Sequence, residues 1–152
     1  MKFTKILFLF LASGLLFSAC SKDEETLEGV WDLQRVETSN CQDPTENSII
    51  DFSANGGCQT LGPISVCVKA TTEFKNGTYT TVFTTTTTTL GFNETETDTE
   101  TGTYTVSGKK ITVCDSFNDC RVGEFTISGN ILTINAIDDE SKCKAVQTMK
   151  KR

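Results

Sequence analysis

Gly102-Thr-Tyr-Thr-Val-Ser-Gly-Lys-Lys-Ile-Thr-Val113 recurs further along the chain as Gly123-Glu-Phe-Thr-Ile-Ser-Gly-Asn-Ile-Leu-Thr-Ile134. Each copy reads as strand, two-residue turn, strand. The turns are Gly108-Lys109 and Gly129-Asn130, with glycine where a II′ turn needs positive φ. In that register Val106 faces Ile111, Tyr104 faces Val113, Ile127 faces Leu132 and Phe125 faces Ile134. Every apolar pair lands on one face, and a slip of one residue would scramble all of them. Two such hairpins in succession predict an antiparallel meander.

Working outward, Phe74-Lys75-Asn76-Gly77-Thr78-Tyr79 carries the Asn-Gly pair of a I′ turn. Its register puts Val66, Val68, Ala70, Phe74, Tyr79 and Phe83 on one face and Cys67, Lys69 and Glu73 on the other. Six consecutive threonines, Thr84 to Thr89, suit a strand with a wet face. No long stretch carries apolar residues at the three-and-four spacing of a helix. The segment Asn93 to Thr101 alternates acid and threonine with no apolar face and reads as an exposed loop or strand end. Its spacing lacks the order of a calcium-wrapping loop. Strands are expected over 27–37, about 48–52, 64–74, 78–88, 102–106, 110–114, 121–127, 131–137 and 143–149. Eight or nine strands in up-and-down order predict an all-β fold, a meander closing into a small barrel that leaves no edge exposed.

The amino-terminal end has a different character. Lys2 and Lys5 precede an apolar run from Ile6 to Phe17, too short to span a bilayer and followed by small residues, which is the pattern of a signal peptide over 1–19. Phe17-Ser18-Ala19-Cys20 resembles a lipobox, with Phe17 in place of the usual leucine. That resemblance implies cleavage before Cys20 and acylation of its thiol, so the bilayer becomes a partner through lipid. Residues 20–26 read as a flexible acidic tether, and 27–152 as one domain. Lys22-Asp23-Glu24-Glu25 is similar to the signal that sends lipoproteins of Bacteroidota type to the cell-surface face of the outer membrane. Loss of Lys2 and Lys5 leaves 20 acidic against about 12 basic side chains, a net charge of about −8. Such a surface argues against nucleic acid and anionic headgroups as partners.

The chain has seven cysteines and no histidine. With Cys20 lipidated, the remaining six pair evenly, which suits an exported protein. Six cysteines allow about 15 pairings. Alternation turns Cys114 and Cys120 outward at the two ends of a short connection, well placed to bridge. Cys58 with Cys67 and, by elimination, Cys41 with Cys143 complete that set. Without tight C-x-x-C pairs or histidine, neither a zinc site nor any cofactor is expected.

Leu27-Glu28-Gly29-Val30-Trp31-Asp32-Leu33 resembles the Gly-x-Trp opening of lipocalins and of the lipocalin-like domains of Bacteroidota-type surface lipoproteins. The resemblance covers about Leu27 to Arg152 and gives Gly29 and Trp31 structural roles, Trp31 as a barrel plug. It also implies a basic residue of the last strand over that ring, Lys150 or Arg152, and a cup for one small, largely apolar ligand. Tyr79, Phe83, Tyr104 and Phe125 are the candidate ligand contacts, with Phe83 and Tyr104 placed toward the mouth.

Catalysis finds little support, with no histidine and no Gly-x-Ser-x-Gly. Asp138-Asp139-Glu140 reads as a solvated loop. Two non-enzymatic readings remain open: a surface-tethered carrier of a small hydrophobic ligand, or a protein- or glycan-interaction module whose barrel is filled with side chains.

Overall fold

The computed structural model describes residues 26–137 and 142–152. Cys20, the tether up to Glu25 and the acids Asp138, Asp139 and Glu140 lie outside the described residues. Ten strands follow in chain order: β1 Gly29–Ser39, β2 Ser48–Asp51, β3 Cys58–Leu61, β4 Ile64–Lys75, β5 Thr78–Thr89, β6 Phe92–Ser107, β7 Lys110–Asp115, β8 Cys120–Ser128, β9 Ile131–Ile137 and β10 Lys144–Lys151. The only helical pieces among the described residues are two short 3₁₀ turns, Pro44–Glu46 and Ala54–Gly57.

From β4 to β10 each strand pairs with the next, and β10 then pairs with β1. Gly29–Asp32 of β1 pairs with Phe74–Thr71 of β4, which closes an eight-stranded up-and-down barrel. The seam is zipped at that end alone. Further along, Arg35–Thr38 of β1 pairs with β2, while Ile64–Cys67 of β4 pairs with β3. A register shift between Leu33 and Arg35 marks where β1 leaves one partnership for the other. The barrel therefore has a closed end, near Trp31, and a mouth where its wall divides.

The repeated hairpins adopt the expected register, with Tyr104 opposite Val113 and Phe125 opposite Ile134. Their turns carry positive φ at Gly108 and Gly129, and the Asn76-Gly77 turn at both residues. Two strand boundaries differ from the sequence reading. Cys58–Leu61 forms β3, too short to show a pattern. The acid-threonine segment is no loop: it is the first half of β6, paired with β5 from Phe92 to Thr103. Its turn, Leu90-Gly91, has positive φ at both residues although leucine is a poor turn former, so no turn signal announced the strand.

β6 pairs with β7 only from Gly102 onward. Its first half, with the matching halves of β5 and β4 and with β3, stands beyond the barrel as a flap whose β6 edge is unpaired among the described residues. The inward parity of β6 there is acidic: Glu94, Glu96, Asp98 and Glu100 lie opposite Thr87, Thr85, Phe83 and Thr81. The outward parity is threonine, with Thr86 and Thr95 hydroxyls 3.2 Å apart.

The core sits at the closed end. Trp31, Ile111 and Leu132 are fully buried, with Leu27, Phe74, Tyr104 and Met149 around them. Phe74 and Tyr104 meet edge to face at 5.2 Å, a preferred aromatic geometry. The Trp31 indole donates to the Leu27 carbonyl at 2.8 Å, so its polar atom is satisfied where no water reaches. Lys151, rather than Lys150 or Arg152, lies over the ring, its ammonium 5.1 Å from the centroid. Gly29 makes room for it: φ is +130°, and a Cβ there would lie 3.0 Å from the Lys151 side chain. Arg152 instead grips Asp32, Nε 2.9 Å from both carboxylate oxygens, and Thr71 donates to the same carboxylate at 2.9 Å. These contacts hold the Asp32 carboxyl below its usual range, the Arg152 hydrogen bond being the main cause.

Three disulfides join Cys41 to Cys143, Cys58 to Cys67 and Cys114 to Cys120. Cys58–Cys67 and Cys114–Cys120 each join directly opposed residues of neighbouring strands.

Candidate functional site

The interior above the core is open. A cavity of about 1050 Å³ occupies the barrel between the closed-end cluster and the mouth, somewhat above the usual range for small-molecule pockets. Its floor and walls are apolar: Leu33, Phe74, Ile111, Val113, Ile134 and Met149 reach it from five strands besides the Phe83 wall. Alternation explains their convergence, since each occupies the inward parity of its strand.

Of the four candidate contacts, the structure brings two to the cavity. Phe83 and Tyr79 line it; Tyr104 and Phe125 do not. Tyr104 lies at the closed end, its amide donating to the Gly77 carbonyl at 2.8 Å, and is buried in the core rather than placed at the mouth. Phe125 packs against the same core cluster. The error has a simple origin: β6 is so long that Tyr104, near its end, is already at the level of the closing turns.

Polar groups gather where the wall turns toward the mouth. The Tyr79 hydroxyl donates to Glu100 Oε1 at 2.8 Å. Burial, and then the hydrogen bond to the Glu100 carboxylate, push the Tyr79 phenol well above its ordinary value. Its ring rests against Gly102, where any Cβ would collide with it and with the Cys114 carbonyl oxygen. That close approach explains why the first repeat opens on glycine. Gly123 opens the second for a related reason, its missing Cβ facing the Asn135 carbonyl at 2.7 Å. Thr72 and Thr81 hydroxyls bond each other at 2.9 Å across the β4–β5 wall.

Asp115, Asp119 and Arg121 line the mouth beside Glu100, and Glu46 lines it from the β1–β2 connection. Asp115 Oδ1 accepts the amides of Phe117 and Asp119 at 2.8 and 2.9 Å, shaping the β7–β8 turn. Glu46 lies 3.5 Å from the Cys143 sulfur. That sulfur is bridged to Cys41, so the grouping of Cys41, Glu46 and Cys143 offers no thiolate to a metal ion. Sequence reasoning missed Glu100 and Arg121. Counting back in twos from Tyr104 reaches Gly102 and Glu100, and from Phe125 reaches Gly123 and Arg121, so the same alternation contained both.

No family model matches the chain, and no curated protein matches it in sequence. Among solved structures it is similar to a de novo designed fluorescence-activating β-barrel, at 10% identity and a TM-score of 0.41, over 82% of this chain and 93% of that one. It is also similar to fatty-acid-binding protein 1 of Echinococcus granulosus, at 13% identity and a TM-score of 0.36, over 82% of this chain and 96% of that one. Both likenesses are weak ones of overall shape.

Proposed function

We propose that this protein is a carrier that holds one small, largely apolar molecule inside its barrel, tethered to the outer membrane by lipid on Cys20 and displayed at the cell surface. The observation that carries the reading is the unfilled cavity of about 1050 Å³ with an apolar floor and a polar mouth. Such a site excludes water from the body of a ligand and leaves few groups to orient it, which is the common design of small-molecule pockets. The role is binding rather than catalysis. The basic and small-residue pattern ending at Cys20 supports the tether, and the tethered chain joins the barrel at its closed end, which leaves the mouth free for exchange.

Trp31 is the chain's single tryptophan and sits beneath the cavity, so it serves as a built-in energy donor. A neutral alkyl-dansyl amide added to the intact lipoprotein in phosphatidylcholine nanodiscs should give saturable energy transfer from Trp31. Phe83→Ala should weaken that uptake several-fold while costing under about 1.5 kcal/mol of stability, because the ring already faces open space rather than a packed core. Absence of saturable transfer would reject the carrier reading. Separately, Cys20→Ala should abolish incorporation of labelled fatty acid, and alanines at Lys22 to Glu25 should remove the protein from the reach of protease added to intact cells; unchanged labelling or shaving would reject the anchor or the surface address.

A further inference from the structure

The cavity's polar groups are strongly unequal in sign. Glu46, Glu100, Asp115 and Asp119 line it against a single basic residue, Arg121. The imbalance continues up the flap: Asp98 stands directly opposite Phe83, and Glu96 follows on the same face. Lys151 and Arg152 are engaged at the closed end, over Trp31 and on Asp32, so they do not offset it. A cleft with low-dielectric walls and charges of one sign focuses the field into its interior and concentrates ions of the opposite sign. A second feature, independent of charge, points the same way. The half-buried Phe52 and Phe83 line the same cavity, and aromatic faces attract cations.

We infer that the ligand is an amphipathic cation: an apolar body seated above the Trp31 cluster, with a protonated or quaternary amine at the mouth between the Phe83 ring and the Glu100 carboxylate. The inference rests on the carrier reading and specifies its ligand. An anionic headgroup would have Arg121 as its one cationic partner among the described lining residues and would meet four carboxylates around it. The Tyr79 hydroxyl, donating to Glu100 Oε1 at 2.8 Å, fixes that carboxylate in place at the rim.

The test is competition against the neutral alkyl-dansyl probe, read by energy transfer from Trp31 in the intact lipoprotein. Dodecyltrimethylammonium, dodecanol and dodecanoate, all below their micellar concentrations, serve as competitors. The expected result is displacement by the cation at roughly a tenfold or greater lower concentration than by the carboxylate. The preference, taken as the ratio of the two displacing concentrations within each protein, should shrink in high salt, where exposed charges are screened, and in the Glu46→Gln/Glu100→Gln double variant. Equal displacement by cation and carboxylate would overturn the inference and leave the carrier reading standing. Preference for dodecanoate that is lost in Arg121→Gln would overturn it in favour of an anion held by Arg121. Failure of the neutral probe itself to bind would bring down both.

Discussion

At the closed end a cluster of eight buried side chains from Leu27, Trp31, Phe74, Tyr79, Tyr104, Ile111, Leu132 and Met149 holds the strands together, whereas at the mouth no such cluster forms among the described residues. There the three disulfides take over. Cys41 and Cys143 tie the chain beyond the end of β1 to the start of β10, Cys114 and Cys120 tie β7 to β8, and Cys58 and Cys67 tie β3 to β4. The contrast follows from what each end is for. A sealed end can bury apolar area and gain about 1.5 to 3 kcal/mol for each large side chain. A rim that must admit a ligand cannot, and covalent bridges stabilise it without filling the space.

The largest expected effect comes from cutting the mouth's longest bridge. Cys41 and Cys143 are 102 residues apart, so the Cys41→Ala/Cys143→Ala pair should lose about 4 to 5 kcal/mol in the chain-entropy account. Cys114 and Cys120 are 6 apart, and their removal should cost about 2 kcal/mol on the same account. Denaturant titration of both variants checks the difference; equal costs would show that loop length does not govern the mouth. At the other end Trp31→Ala should cost about 3 to 5 kcal/mol, as truncation of a packed aromatic does. A loss under 1 kcal/mol by the same titration would show that the closed end is not the core described above.

The smallest effect is a pH dependence at the boundary between the two ends, where Tyr79 belongs to the core and lines the cavity. Its phenol is raised in the folded protein, so folding favours the protonated form. The associated stability is full below the unfolded value near 10 and is lost as pH rises from there toward the folded value, with a slope of at most about 1.4 kcal/mol per pH unit for one proton. Tyr79→Phe should flatten the alkaline limb of a stability–pH curve, leaving the share from Tyr104, which burial also raises. An unchanged limb would count against the Tyr79–Glu100 pair. At the acid side Asp32 behaves oppositely: its lowered carboxyl contributes stability that is present above the unfolded value and is lost as pH falls through the folded one.

The acid-threonine half of β6 has a structural role as well. An unpaired strand edge invites association with other strands, and inward-pointing charges are one way proteins blunt it. Glu94, Glu96 and Asp98 are exposed on that edge, and like charges would oppose pairing with a second copy. Glu100 differs from them in reaching the cavity and bonding Tyr79.

What the sequence by itself determined is local. Turn residues and period-two alternation set the register of each hairpin, because neighbouring strands read each other directly: Val106 finds Ile111 and Ile127 finds Leu132 whatever else the chain does. The same parity turns Cys114 and Cys120 to one side of their hairpin. What only the tertiary structure decided is how far each strand runs past its neighbours and where the sheet closes on itself. β6 outruns β7 by the length of the acidic segment, so Tyr104 falls into the core and Glu100 onto the rim. The β1–β4 seam zips over four residue pairs and then divides between β2 and β3. Closure joins strands far apart in the chain, and the space left inside is set by all of them together; no hairpin's own pattern contains either quantity.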